Sequence, residues 1–253
     1  MHRPRVIPVL LLKGKGLVKT IKFADPGYVG DPLNAVRIFN EKEVDELIVL
    51  DISASKENRG PNFALISSLA EECFMPLCYG GGVASIDEIG TLFSLGIEKI
   101  ALNSACIGNL NLIRQAAELF GSQSIVGSID VSRTLLGGYA VYSHSGRTVA
   151  YKDPVAYAKA LEAAGAGEIL LTSVDRDGLR QGFDIKLCKQ ISAAVSIPVV
   201  ACGGGGDLSH FRQVLLEGGA AAAAGGSYFV YQGKHRAVLI TYPSSHDIEH
   251  LCD

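Results

Sequence analysis

The chain has 253 residues, 48% of them hydrophobic, and a formal net charge of −3. That is enough apolar material for a sizeable core, and a slightly acidic balance excludes a general role on nucleic acid. No apolar run reaches the ~18 residues of a membrane-spanning helix, and Met1-His2-Arg3-Pro4-Arg5 leads into a short apolar strand with no secretory signal.

In chain order, a strand is expected near 5–11, followed by a long segment, 12–32, that carries Lys13, Lys15, Lys19 and Lys22 among four glycines. A helix near 33–43 leads to a strand near 46–51, and a helix near 62–73 to a strand near 75–79. Helices near 84–95 and 109–120 flank a strand near 97–102. A strand near 124–130 opens a second long segment, 131–151, which reads as a small hairpin. Then come a helix near 152–164, a strand near 167–172, a helix near 184–193, a strand near 197–201, a helix near 207–217 and a strand near 219–224. A last helix is expected after 234. Nearly continuous apolar strands such as Leu47–Leu50 and Ile169–Leu171 suit parallel strands covered on both faces. Eight βα units in this length predict a single (βα)8 TIM barrel spanning 1–253; a doubly wound sheet is the competing arrangement.

The chain also says nearly the same thing twice, about 122 residues apart. Glu46-Leu-Ile-Val-Leu-Asp51 returns as Glu168-Ile-Leu-Leu-Thr-Ser173, Met75-Pro76 with Gly81-Gly82 returns as Ile197-Pro198 with Gly203-Gly204, and Asn103-Ser104 returns as Gly225-Gly226. A repeat at this scale implies two half-barrels, about 1–121 and 122–253, which favours a closed ring.

Barrel enzymes place their chemistry at the C-terminal ends of the strands. Gly81, Gly82, Asn103 and Ser104 end strands of the first half, and Gly203, Gly204, Gly226 and Ser227 end those of the second. Glycine lets backbone approach a ligand, and helix N-terminal amides attract anions. Each half thus offers a phosphate cradle, and the pair suits a ligand with a phosphate at each end; tight strand-to-helix turns alone are the alternative. Asp51, Asp130 and Asp177 lie at or just past strand ends, and Thr172 lies among them. Asp130 is placed for acid–base work or for binding loop amides, and Asp177 for the mouth or for capping the turn at Gly178.

Six cysteines without a CxxC pair suggest a reduced, cytoplasmic protein. His246, His250 and Cys252 could bind a metal on a helix, but a solvated tail is the expectation, and no cofactor is foreseen. His144, in the hairpin, is expected to be an exposed loop residue.

The stretches Asp45-Glu-Leu-Ile-Val-Leu-Asp51-Ile, Phe120-Gly-Ser-Gln and Gly165-Ala-Gly-Glu168-Ile-Leu-Leu-Thr-Ser-Val-Asp-Arg-Asp-Gly178 resemble the HisF family, the cyclase subunit of imidazole glycerol phosphate synthase. The resemblance runs from Arg5 to about Phe229. It implies a barrel that takes ammonia from a glutaminase and closes an imidazole ring on a substrate with two phosphates. It carries the phosphate roles onto the two cradles and a catalytic role onto Asp130 and onto Lys19, in the mobile first loop. It also implies an ammonia gate at the barrel floor made of Arg5, Glu46, Lys99 and Glu168, although strand-start charges of this kind can be purely structural.

One position departs from that pattern. The family uses two aspartates; the second is Asp130, and the first falls at Leu11. Aligning the two half-barrels also pairs Leu11 with Asp130, independently of the family. Leucine cannot move a proton, and losing one of two acid–base groups costs ~10²–10⁴ in rate. Leu10-Leu-Leu-Lys13, Cys73-Phe-Met-Pro-Leu-Cys-Tyr-Gly-Gly-Gly82 and His235-Arg-Ala-Val-Leu-Ile-Thr-Tyr-Pro243 are similar to a HisF branch linked to acetamidino sugars of bacterial O-antigen. That likeness implies a conduit from a HisH-like glutaminase to an ATP-dependent amidotransferase, with a working cyclase of histidine biosynthesis as the alternative.

Overall fold

The computed structural model describes residues 4–143, 148–233 and 235–253. The elements in chain order are β1 (Arg5–Lys13), β2 (Gly16–Ile21), β3 (Ala24–Gly30), α1 (Pro32–Glu41), β4 (Leu47–Asp51), α2 (Phe63–Glu72), β5 (Leu77–Gly80), α3 (Ile86–Ser94), β6 (Lys99–Leu102), α4 (Asn111–Phe120) and β7 (Ile125–Arg133). They continue with β8 (Tyr139–Ser143), β9 (Thr148–Tyr151), α5 (Pro154–Ala163), β10 (Glu168–Ser173), α6 (Ile185–Ser192), β11 (Val199–Cys202), α7 (Leu208–Leu216), β12 (Ala222–Gly225), α8 (Ser227–Val230), β13 (Tyr231–Gln232), β14 (Ala237–Val238) and α9 (Ser245–Glu249).

Eight strands close a parallel ring in the order β1, β4, β5, β6, β7, β10, β11, β12 and back to β1. The expected (βα)8 barrel is therefore the fold. One apolar cluster fills the space between strands and helices, with Phe39, Leu92, Leu161 and Phe211 fully buried. A second lies inside the ring, where Ile7, Val9, Ile48, Val126, Leu170 and Val200 point inward.

The 122-residue offset extends to single backbone contacts. Asp31 caps α1 and Asp153 caps α5, each followed by proline at the first helical position. Asn62 and Asp184 cap α2 and α6, and Ser85 and Asp207 cap α3 and α7, again at that spacing. Gly81 lies so close to the Asp51 carbonyl, and Gly203 to that of Ser173, that an added Cβ would sit 2.3 and 2.6 Å from the oxygen. Strand pairing corresponds as well, although β1 and β7 align at a slightly shorter spacing: Leu11 lies beside Leu50, and Asp130 beside Thr172.

The structure differs from the sequence expectation over 12–32. That segment is an antiparallel meander, because β1 runs on to Lys13 and pairs with β2, which pairs with β3. Turns of two residues, Gly14-Lys15 and Lys22-Phe23, reverse the chain, and Gly14, Lys22 and Phe23 have φ of 62°, 51° and 61°. Such left-handed turns match strand twist and join hairpins tightly. The second segment folds alike as β7–β8–β9. The last helix forms only at Ser245–Glu249, after the short β13–β14 hairpin. No helix among the described residues is long and apolar enough to cross a membrane.

Candidate functional site at the mouth and floor of the barrel

One cavity at the C-terminal ends of the strands gathers every residue predicted there. Lys19, Asp51, Gly81, Gly82, Asn103, Ser104, Asp130, Thr172, Asp177, Gly203, Gly204, Gly226 and Ser227 all line it, and so does Leu11. The strand order explains most of this, because the ring brings together the C-terminal ends of its strands; Lys19 reaches the same place from β2, outside the ring. His144 lies outside the described residues.

The two walls of the cavity differ. On the first-half side, Val9, Leu11 and Leu50 present an apolar surface. On the second-half side, Ser128 and Asp130 from β7 stand beside Thr172 from β10. Asn103 Nδ2 donates to Asp130 Oδ2 at 2.9 Å. The Asp130 carboxyl is reached from the cavity but walled by protein on its other sides. Burial raises its pKa to about 7, against the Asn103 hydrogen bond, and the negative Asp177 adds to the rise.

Lys19 is buried and enters the mouth from β2, where its amine donates to the Val9 carbonyl. It packs so closely on Gly226 that a side chain there would displace the amine. Burial lowers its pKa to about 8, opposed by Asp177 and Cys202. The second cradle therefore contains a buried amine. At its other end, Gly204 has φ of +114°, and an added Cβ would lie 2.1 Å from the Gly182 carbonyl.

Two aspartates of the mouth are already engaged. Asp51 Oδ1 accepts from the Ser53 amide and hydroxyl, at 3.0 Å each, and from the Ala54 amide at 3.1 Å. Arg59 Nη1 pairs with Asp51 Oδ2 at 2.9 Å. Asp51 thus ties down the loop after β4. Asp177 accepts from Thr20 Oγ1 at 2.7 Å and from the Phe23 amide at 3.3 Å, and so ties down the β2–β3 hairpin. Sequence reasoning missed Arg59 and Thr20. An arginine eight residues past Asp51, within the same βα loop, was a readable signal for the first; nothing in the sequence links Thr20 to a residue 157 positions away.

At the opposite end the four charged strand starts meet. Arg5 donates to Glu46 at 2.9 Å and to Glu168 at 2.5 Å, and Lys99 donates to the other oxygens of the same carboxylates at 2.9 and 3.0 Å. The result is a closed four-membered ring with alternating sign. Both glutamates are buried. Burial works against the charge on Arg5 and Lys99, but two carboxylates each outweigh it and leave both pKa values raised. Between floor and mouth the interior is the apolar cluster described above.

The described residues include no group of three or more His, Cys, Asp or Glu arranged to hold a metal. His246 and His250 stack on each other, with ring centroids 4.3 Å apart.

Fold and site together define a (βα)8 barrel with a ligand-sized mouth, two glycine cradles and a charged floor. The chain belongs to the histidine biosynthesis protein family, which matches residues 5–236, and within it to the HisF group. It is 53% identical over 249 residues to "Putative imidazole glycerol phosphate synthase subunit hisF2" of Pseudomonas aeruginosa, covering 98% of this chain and 99% of that protein. It is 50% identical over 252 residues to "Putative imidazole glycerol phosphate synthase subunit HisF" of Leptospira borgpetersenii, covering 99% of each. A Vibrio vulnificus protein, named as subunit hisF3, is 44% identical over 245 residues, 96% of this chain and 94% of its own length.

Proposed function

We propose that this chain is a HisF-like synthase subunit that receives ammonia from a HisH-like glutaminase and channels it through the barrel. The recipient is a partner ATP-dependent amidotransferase that builds an acetamidino sugar for O-antigen lipopolysaccharide. The observation that carries this reading is Leu11 at the position matching Asp130, in a barrel whose floor ring is complete. The glutaminase follows from the relatives, which are named as subunits of the synthase.

The chemistry is simple on this reading. Glutamine hydrolysis at the floor releases ammonia, and the ring of Arg5, Glu46, Lys99 and Glu168 controls entry. Neutral ammonia crosses an apolar interior without the large desolvation cost of an ion. Leu11 extends that apolar wall by one further layer. Asp51 is poorly placed to replace the missing acid, because Ser53, Ala54 and Arg59 occupy its oxygens.

A second reading, a cyclase of histidine biosynthesis, is favoured by one group of observations: Asp130, Lys19 and both cradles share one cavity. The test is to supply the purified protein with ammonia and the ribulosyl aminoimidazole carboxamide substrate. The conduit reading expects turnover ~10²–10⁴ below that of a cyclase with both aspartates. Turnover equal to such a cyclase sinks it.

A further inference from the structure

The β2–β3 hairpin lies at the mouth; β2 is anchored at its start by pairing with β1, and the contacts that hold its far end and turn converge on one residue. The Asp177 carboxylate takes the Thr20 hydroxyl and the Phe23 amide. Its main-chain carbonyl takes the Lys22 amide at 3.1 Å. Next to it, Gly178 presses against the Thr20 carbonyl so tightly that an added Cβ would lie 2.3 Å from that oxygen. Arg236, from the C-terminal hairpin, donates to the Gly178 carbonyl at 3.2 Å and braces the same point from behind.

These contacts act on a turn that needs them. Lys22 and Phe23 are not glycines, yet both have positive φ, as does Asp25 at 48°. That conformation is unfavourable for residues with side chains and persists where the surroundings impose it. One position before the turn's own strand end is Thr20, and before it Lys19, whose amine reaches across to Gly226.

We propose that Asp177 is a positioning residue, the latch that holds the β2–β3 flap closed and thereby keeps the Lys19 amine inside the second cradle. The mouth polarity expected of Asp177 is thus spent on the flap, and the amine it holds in place lines the cavity. Without the latch the turn relaxes, the end of β2 beyond its pairing with β1 lifts, and Lys19 goes to solvent. The latch stands on geometry alone and is independent of where ammonia travels.

Brief acylation of the whole protein with an amine-reactive ester, read lysine by lysine by mass spectrometry, tests it. Lys19 is buried, whereas Lys13, Lys15 and Lys22 on the same hairpin are exposed and serve as internal references. Asp177→Ala is expected to raise Lys19 labelling about tenfold or more, the response of a local opening that loses charge-assisted hydrogen bonds. The three reference lysines and Lys99 at the floor keep their rates. Asp177→Asn, which retains an acceptor oxygen, shows a smaller rise. Thr20→Val, which removes the hydroxyl on the other side of the contact, moves Lys19 in the same direction and decides the matter where Asp177→Ala does not fold. Lys19 labelling that stays slow in these variants, or a rise shared equally by Lys19 and Lys99, overturns the latch. Neither outcome bears on the conduit, since no ammonia or ligand enters the measurement.

Discussion

The two half-barrels share a frame but differ in what faces the cavity. Caps and glycine contacts repeat at one spacing, from Asp31 and Asp153 at helix starts to Gly81 and Gly203 at strand ends. Inside the mouth the copies part. Leu11 and Leu50 make one wall apolar where Asp130 and Thr172 make the other polar. Backbone packing tolerates few alternatives, whereas an inward side chain at the mouth can change without moving a strand. On the proposed reading, divergence at Leu11 changes the chemistry while the architecture is retained.

The shared frame can be broken at its glycines, where the largest effects are expected. Gly204→Ala sets a Cβ 2.1 Å from the Gly182 carbonyl at φ +114°, and Gly82→Ala sets one 2.7 Å from the Arg59 carbonyl at φ +75°. Each should lose ~3 kcal/mol of stability in chemical denaturation. If one half accepted alanine freely, the frame would not be shared after all.

The floor ring draws one glutamate from each half, so its loss should be symmetric too. Glu46→Gln and Glu168→Gln each leave Arg5 and Lys99 with one charged partner, at a cost of roughly 1.5–3 kcal/mol. Lys99→Ala should also raise the glutamine consumed per product formed when glutaminase and acceptor enzyme are assayed together. Unchanged coupling in that variant counts against a gate.

A further effect separates the walls by pH. Asp130 is held near about 7 by burial, so it keeps its proton to higher pH in the folded chain than in the unfolded one. Stability falls as pH rises from about 4 to about 7, and the full loss persists above that range. Asp130→Asn should be the more stable protein at about pH 8 and equal to the unaltered chain near pH 4, as measured by thermal unfolding. A constant difference across that range would show that burial does not perturb this carboxyl.

The ring was legible in the sequence because buried parallel strands read as apolar runs, and the repeat was legible because glycines at close contacts leave no substitute. The flap was not. β3 carries little apolar alternation, and the turn uses Lys22 and Phe23, whose conformation is held by Asp177 from another part of the chain. The members of the mouth could be named from strand ends alone. That Asp51 and Asp177 are bound to Arg59 and Thr20 depends on loops that only the folded barrel brings together.

The central claim is that Leu11 separates this barrel from the family's ring closure. Ammonia-dependent turnover of the imidazole-pathway substrate, measured side by side for the unaltered protein and Leu11→Asp, tests it most directly. The account predicts that the unaltered protein is slower by ~10²–10⁴. Equal and rapid turnover by both proteins would contradict it.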